Sequence, residues 1–335
     1  MKIGIITFWE SNDNYGQQLQ CWALQQVLGK MGHSPFLIRF QWMTPKVTAK
    51  RKLKLLTKQL IAFMLHIIQL DKSIRVRKKL NFVYREDEIR RRFPKFRKSN
   101  IAQSNKIYYS YYDLKANPPQ ADMYITGSDQ VWNYDMPEDC RKSYFLQFGN
   151  ADVKRISYAP SIGHSEYPEE LLPSLKEYLG NFDAISVREK SAIEVCEKVG
   201  YNATQVLDPT LLLAKDDYDK LLKCHNSKTS IFIYSLNYTS AYDIPFEAIR
   251  KYANIHKLPI VVTPSSGYVP AQELFDGVEY SYASIEEWLG NIANSHLVVT
   301  ASFHGVVFSL LFHRPFLFTP LKGQHAQSNE RVMGL

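Results

Sequence analysis

The chain has 335 residues, 45% hydrophobic and 22% charged, with 41 Lys and Arg against 33 Asp and Glu for a formal net charge of +8. This is the balance of a globular protein, and it excludes a mainly disordered chain, a collagen and a coiled-coil rod; the length suits about two domains. Cys21, Cys140, Cys196 and Cys224 form no CxxC pair, so no disulfide framework, zinc cluster or other metal site is expected, and a reducing, cytoplasmic setting is.

In chain order, residues 3–8 are an apolar run followed at once by Glu10, Ser11, Asn12 and Asp13. The run is too short for a signal peptide and reads as a first strand. A helix is predicted over 16–31, stopped by Gly32, and a strand over 36–40. Residues 41–100 then carry eighteen Lys and Arg against four Asp and Glu, so the rest of the chain is net acidic. Within them, 53–70 reads as an apolar helix about 27 Å long. Lys54, Lys58, Gln59, His66 and Gln69 interrupt it, so it is not a clean transmembrane span. Two readings stay open: a core-packed helix with a solvated basic face, or a helix lying on an anionic membrane surface, its basic flanks pairing with headgroups. No recognition-helix pattern or RNP motif is present, and no nucleic-acid partner is expected.

Further strands are predicted at 123–126, 155–159, 184–187 and 204–207, with helices near 168–179 and 189–199. The polar stretch 216–229 reads as a passage to a second unit. That unit has strands at 231–236, 260–263, 296–300 and 316–318 and helices at 243–256, 285–293 and 305–312. Such alternation implies parallel sheets covered by helices. The expected fold is α/β: two Rossmann-like domains facing a cleft, 1–215 and 229–335, with a basic helical insertion at about 41–110 in the first. Ligands in such sheets lie beyond the carboxyl ends of the strands.

Four strand ends carry candidate chemistry. Asn14-Tyr15-Gly16-Gln17 opens the first helix, where Asn and Gln offer donors and acceptors, Gly allows close approach, and the helix N-terminus attracts anions. It is also what an ordinary capped turn looks like, and it is not a dinucleotide fingerprint. Gly127-Ser128-Asp129-Gln130-Val131-Trp132-Asn133 suits a sugar or phosphate pocket, or a surface turn with Trp132 in the core. Arg188, between a strand and a helix, could grip a carboxylate or phosphate in bidentate fashion, or simply pair with Glu189 or Glu194. In Ser302-Phe303-His304-Gly305, Ser302 could cap a helix, and His304 could act as acid or base, bind phosphate, or merely pack.

Taken in order, these motifs, with Ser157-Tyr158-Ala159, Ser161, Gly163 and Asp208-Pro209-Thr210, resemble the polysaccharide pyruvyl transferases over roughly residues 3–331, apart from the basic insertion. The resemblance implies a glycosyltransferase-B-like fold and transfer of a carboxyethylidene group from phosphoenolpyruvate to a sugar, giving a cyclic ketal and phosphate. It implies that Arg188 binds the donor's anionic groups and that His304 is the acid/base or a phosphate ligand. Asn14, Gly16, Gln17, Gly127, Ser128, Asp129, Ser302, Gly305 and Arg331 are expected to line the substrate site. Phosphoenolpyruvate enters as donor substrate, with no cofactor. The acceptor is expected to be a cell-surface glycan or its lipid-linked precursor, reached at the inner face of the membrane. Some members carry an Arg two residues before the His; here Ser302 stands there, and Arg314, Lys322 or Arg331 could replace that cation. Members usually continue into a further helix beyond the point where this chain ends at Leu335, so the second unit is expected to be cut short. A nucleotide-sugar glycosyltransferase and an inactive binding protein are the alternatives.

Overall fold

The computed structural model describes residues 1–42, 91–222, 229–265, 273–323, 326 and 329–334; the predicted helix at 53–70, most of the basic insertion and Cys224 lie outside them. The first sheet is built from β1 (Lys2–Ile6), β2 (Ser34–Phe40), β3 (Gln103–Tyr108), β4 (Met123–Thr126) and β5 (Lys154–Ser157). Its order is β3-β2-β1-β4-β5 and every pairing is parallel. A short parallel ladder of β6 (Ser186–Val187) and β7 (Thr204–Gln205) follows. It is tied to β5 by a bridge from Ile156 to Ala184. The second sheet holds β8 (Ser230–Leu236), β9 (Ile260–Ser265), β10 (Glu279–Tyr280), β11 (Ser295–Thr300) and β12 (Phe316–Phe318), in the order β10-β9-β8-β11-β12, again all parallel.

Helices α1 (Tyr15–Lys30), α2 (Phe93–Asn100), α3 (Tyr111–Ala116), α4 (Glu138–Tyr144), α5 (Leu172–Leu179), α6 (Lys190–Lys198) and α7 (Lys215–Asp219) belong to the first half of the chain. Helices α8 (Phe246–His256), α9 (Ile285–Ala293), α10 (Phe303–Leu311) and α11 (Glu330–Met333) belong to the second. Strand order reverses between β1 and β4 in one sheet and between β8 and β11 in the other. A crevice opens at such a reversal because the loops on either side turn to opposite faces of the sheet. The chain is therefore α/β, two Rossmann-like units in a glycosyltransferase-B-like arrangement.

The two units share a core. Tyr15 is fully buried, stacks on Trp288 of α9 with ring centroids 4.9 Å apart, and donates its hydroxyl to the Ala283 carbonyl at 2.7 Å. Trp22 packs on Tyr218 of α7, which meets Phe308 of α10 edge-on. The other side of α1 buries Leu24 and Leu28 on Ile3, Ile5 and Ile125 of the first sheet. A helix covered on both sides finds partners for its buried amide donors inside the protein. Gln18 donates to the Trp9 carbonyl, Gln20 to the Thr7 hydroxyl, and Gln25 exchanges two bonds of 3.0 Å with the backbone of Ala102.

Two departures from the sequence reading concern the basic segment and its surroundings. Residues 93–108, assigned there to the insertion, form α2 and the edge strand β3. The polar run Gln103-Ser104-Asn105-Lys106 gave no alternation because an edge strand has little to bury. The basic charge is also not all surface charge. Arg91 is buried, donating to the Tyr15 hydroxyl at 2.8 Å and to the Pro264 carbonyl. Arg97 is buried beneath the loop between β1 and α1. Among the described residues no helix is long and apolar enough to cross a membrane, and no group of three or more His, Cys, Asp or Glu could hold a metal ion.

Candidate active site

At the carboxyl end of β11, Ser302 caps α10: its hydroxyl accepts the Gly305 N–H at 3.3 Å. Its hydroxyl is thus engaged in holding the helix end. Gly305 is there for packing, since a Cβ at that position would lie 2.7 Å from the Thr300 hydroxyl oxygen. The cap places His304 in the first turn of α10, buried and directed at the first unit. There it meets the start of α1. A Cβ on Gly16 would fall 2.0 Å from His304 Nδ1. Glycine is required at 16 because the imidazole occupies the space of any side chain. Asn14 caps the same helix by accepting the Gln17 N–H at 3.2 Å, and Gln17 itself stays half-buried.

Gly16→Ala is therefore expected to push His304 out of place. Turnover should fall by about 10²-fold, the scale of a 1 Å displacement of a reacting group. The melting temperature should fall as well, since overpacking costs about 1–3 kcal/mol. Steady-state kinetics beside a thermal melt check both.

Asp208 holds the site together. It follows β7, its side chain is fully buried, and it touches residues from both units. Its Oδ2 accepts from the Ser128 hydroxyl at 2.7 Å and from Arg188 Nη1 at 3.3 Å. Its Oδ1 accepts from the Thr210 N–H at 3.0 Å and the Thr210 hydroxyl at 2.7 Å. His304 Nε2 stands 3.6 Å from the same Oδ1, an ion-pair distance too long for a hydrogen bond. Burial alone would push the Asp208 carboxyl up; the attraction of His304 and Arg188 and the bonds from Thr210 overcome this and hold it well below the usual carboxylate range.

Arg188 leaves β6 with its N–H on the Pro160 carbonyl. Its guanidinium is buried 5.0 Å above the Phe303 ring centroid. Burial works against its charge, but Glu189, Asp208 and Asp129 outweigh it and raise its pKa. Its bonds to Glu189 and Asp208 are 3.3–3.4 Å long, whereas charge-assisted bonds usually close to about 2.7–2.9 Å. Arg188 is thus held in place with donor capacity to spare. It lines a cavity of about 290 Å³ with Glu189, Lys190, Gln205, Phe303 and Arg331. Arg331 reaches the same cavity from α11 with Nε buried and without a partner among the described residues. Burial, and then the nearby Arg188, lowers its pKa to about 10, which leaves it charged at neutral pH.

The expected site residues thus divide. Gly16, Ser128, Arg188, His304 and Arg331 converge on Asp208 or on the cavity beside it. Gly127 lies in the ladder beside Thr7, its N–H on the Ile6 carbonyl. Asp129 follows in a left-handed conformation, φ 85°, within electrostatic reach of Arg188 and Arg331. Of the three cations considered in place of an arginine at 302, Arg331 is the one beside Arg188. Asp208 was visible in the sequence as part of a motif, but not as the residue the others surround.

The two Rossmann-like units thus hold a buried pair of cations, Arg188 and Arg331, at one small cavity near their strand ends. The family model for polysaccharide pyruvyl transferase matches residues 14–320, and the chain belongs to that family. Among solved structures, the chain is similar to a UDP-N-acetylglucosamine 2-epimerase described as putative, from Listeria monocytogenes, at 11% identity and a TM-score of 0.47, covering 99% of this chain and 81% of that one. It is also similar to the Neisseria meningitidis UDP-GlcNAc 2-epimerase, at 9% identity and a TM-score of 0.44, covering 99% and 85%. An α-glucosyltransferase in complex with UDP and DNA is similar at 10% identity and a TM-score of 0.48, covering 90% and 72%. No curated protein matches the chain.

Proposed function

We propose that the chain transfers the carboxyethylidene group of phosphoenolpyruvate to two hydroxyls of one sugar, in a cell-surface polysaccharide or its lipid-linked precursor, releasing phosphate. The observation that carries this reading is the pair of guanidiniums, Arg188 and Arg331, at one small cavity with His304 beside it across Asp208. Phosphoenolpyruvate bears a phosphate and a carboxylate, so two fixed cations suit it. A volume of about 290 Å³ lies at the small end of ligand pockets, which start at about 300 Å³. In this reading His304 delivers a proton to the methylene carbon, leaving a cationic centre at C2 for the sugar hydroxyls to attack. The donor is a substrate, and the reaction needs no resident cofactor. The basic segment 41–100 supports work at an anionic, cytoplasmic membrane face, where lipid-linked acceptors are held.

Phosphate release from phosphoenolpyruvate, measured with a panel of galactosides and mannosides, tests the reading; no release with any of them overturns it. Arg188→Lys is expected to raise KM for phosphoenolpyruvate about tenfold to a hundredfold, because an ammonium cannot reproduce a two-pronged grip worth about 1.5–3 kcal/mol. An unchanged KM removes Arg188 from the donor site.

A further inference from the structure

The first sheet's order reverses between β1 and β4, and each of these strands is followed by a carboxylate the donor site leaves unused. Glu10 lies four residues beyond the end of β1, and Asp129 three beyond the end of β4. Both are held unusually firmly.

The carbonyls on either side of Glu10 are each gripped twice. Trp9 O accepts from Gln18 Nε2 at 2.8 Å and Arg97 Nη1 at 3.3 Å. Ser11 O accepts from the same two groups at 3.3 and 2.8 Å. Arg97 also donates to Asn12 Oδ1 at 2.9 Å, and the Trp9 indole to the Phe40 carbonyl at 2.8 Å. The loop that presents Glu10 is thus a braced element, as a working side chain requires. Asp129 is held in a left-handed conformation that a non-glycine residue adopts only when its surroundings enforce it, a strain that gathers at functional sites. Its carbonyl accepts from Val131 and Ser161, both at 2.8 Å, and its Oδ1 from the Gln130 N–H at 2.8 Å. Its Oδ2 has no hydrogen-bond partner among the described residues. Thr7, just after β1, donates its hydroxyl to the Ser128 carbonyl at 2.6 Å, so the two strand ends are tied side by side, and Asp129 lies within electrostatic reach of Glu10, Arg188 and Arg331.

We infer that Glu10 and Asp129 are paired general bases for the two acceptor hydroxyls, so that the acceptor is a sugar diol bound over the carboxyl ends of β1 and β4. The inference rests on the ketal-transfer reading above, and proton accounting explains why that reaction needs two bases. One hydroxyl oxygen bonds to C2 as a proton reaches C3; phosphate then leaves with its C–O bond broken, and the second hydroxyl oxygen closes the ketal. Each hydroxyl loses one proton. One of these two replaces the proton that His304 gave to C3, and the other departs on phosphate. Burial, and to a lesser degree Asp129, pushes the Glu10 carboxyl up, which makes it the stronger base when ionised.

The test is Glu10→Gln beside the parent, assayed on a methyl galactoside with free 4- and 6-hydroxyls, with phosphoenolpyruvate binding followed by calorimetry. The isosteric amide should keep donor affinity within about twofold and lower kcat by about 10²-fold or more. Glu10→Asp, still a base, should recover part of the loss, and a thermal melt confirms folding. Glu10→Gln turning over like the parent removes the pair, as does a loss confined to KM with kcat intact, which marks mere positioning. A Glu10→Gln chain that fails to fold leaves the decision to Glu10→Asp: a folded Asp variant with parental donor affinity and a kcat lowered but above that of a His304 variant supports the base, and one at parental kcat overturns it. A parent that releases no phosphate removes the ketal-transfer reading itself, and the pair's role with it.

Discussion

His304→Ala is expected to lower turnover by roughly 10²–10⁴-fold, the range for loss of a general acid or base. The expectation comes from the convergence described above. His304 is presented by the capped end of α10, backed by Gly16, and set 3.6 Å from a carboxylate that is ionised at any working pH. His304→Gln should retain part of the donor affinity, because its amide can still reach a phosphate oxygen, yet should not restore turnover. A glutamine variant with parental kcat would exclude proton transfer by this residue.

Asp208→Ala should cost about 3–5 kcal/mol of stability, the scale for removing one partner from a buried ion pair. It removes one of the two carboxylates bonded to Arg188, leaving Glu189, and leaves the Ser128 hydroxyl and the Thr210 N–H and hydroxyl unsatisfied. Asp208→Asn, which keeps the shape, isolates the charge. The folded carboxyl titrates below its unfolded value, so its ionisation stabilises the fold fully above the ordinary carboxylate pKa of about 4. That contribution is lost as pH falls below about 4 toward the folded value. Urea unfolding at several pH values should show the deficit of Asp208→Asn constant from pH 7 to about 5 and shrinking as pH falls below 4. A deficit independent of pH would mean that the hydrogen bonds, not the charge, carry the effect.

The central strands were legible because they are buried on both faces and read as continuous apolar runs; β4 lies where the sequence places it, and so does β12, an edge strand marked by its Phe-Leu-Phe run although it is partly exposed. The edge strands β3 and β10 were not, the first being polar and the second only two residues long. The helix α4 carries Glu138, Asp139, Arg141 and Lys142 among its seven residues, so no apolar period marked it. The motifs pointed to Arg188 and His304 because strand ends in such folds face the crevice. What they could not give is contact across the chain. Asp208 was legible only as part of a motif; its side chain caps the turn that follows, and that it also faces Ser128, Arg188 and His304 follows only from folding. Gly16 read as a helix-start glycine, and the reason for it lies 288 positions away, in His304.

The burial of Tyr15 between the units has a consequence for how the chain is made. Its hydroxyl partner, Ala283, is 268 residues further along. At about 5–20 residues per second, a nascent chain waits on the order of 15–50 s before Ala283 is even synthesised. Meanwhile the start of α1 presents Tyr15 with neither Ala283 nor Trp288 to cover it, the kind of apolar surface that chaperones bind. The first unit is therefore not a free-standing module: expressed alone it would bring a sticky face rather than a finished one, and the two halves reach their native surfaces together.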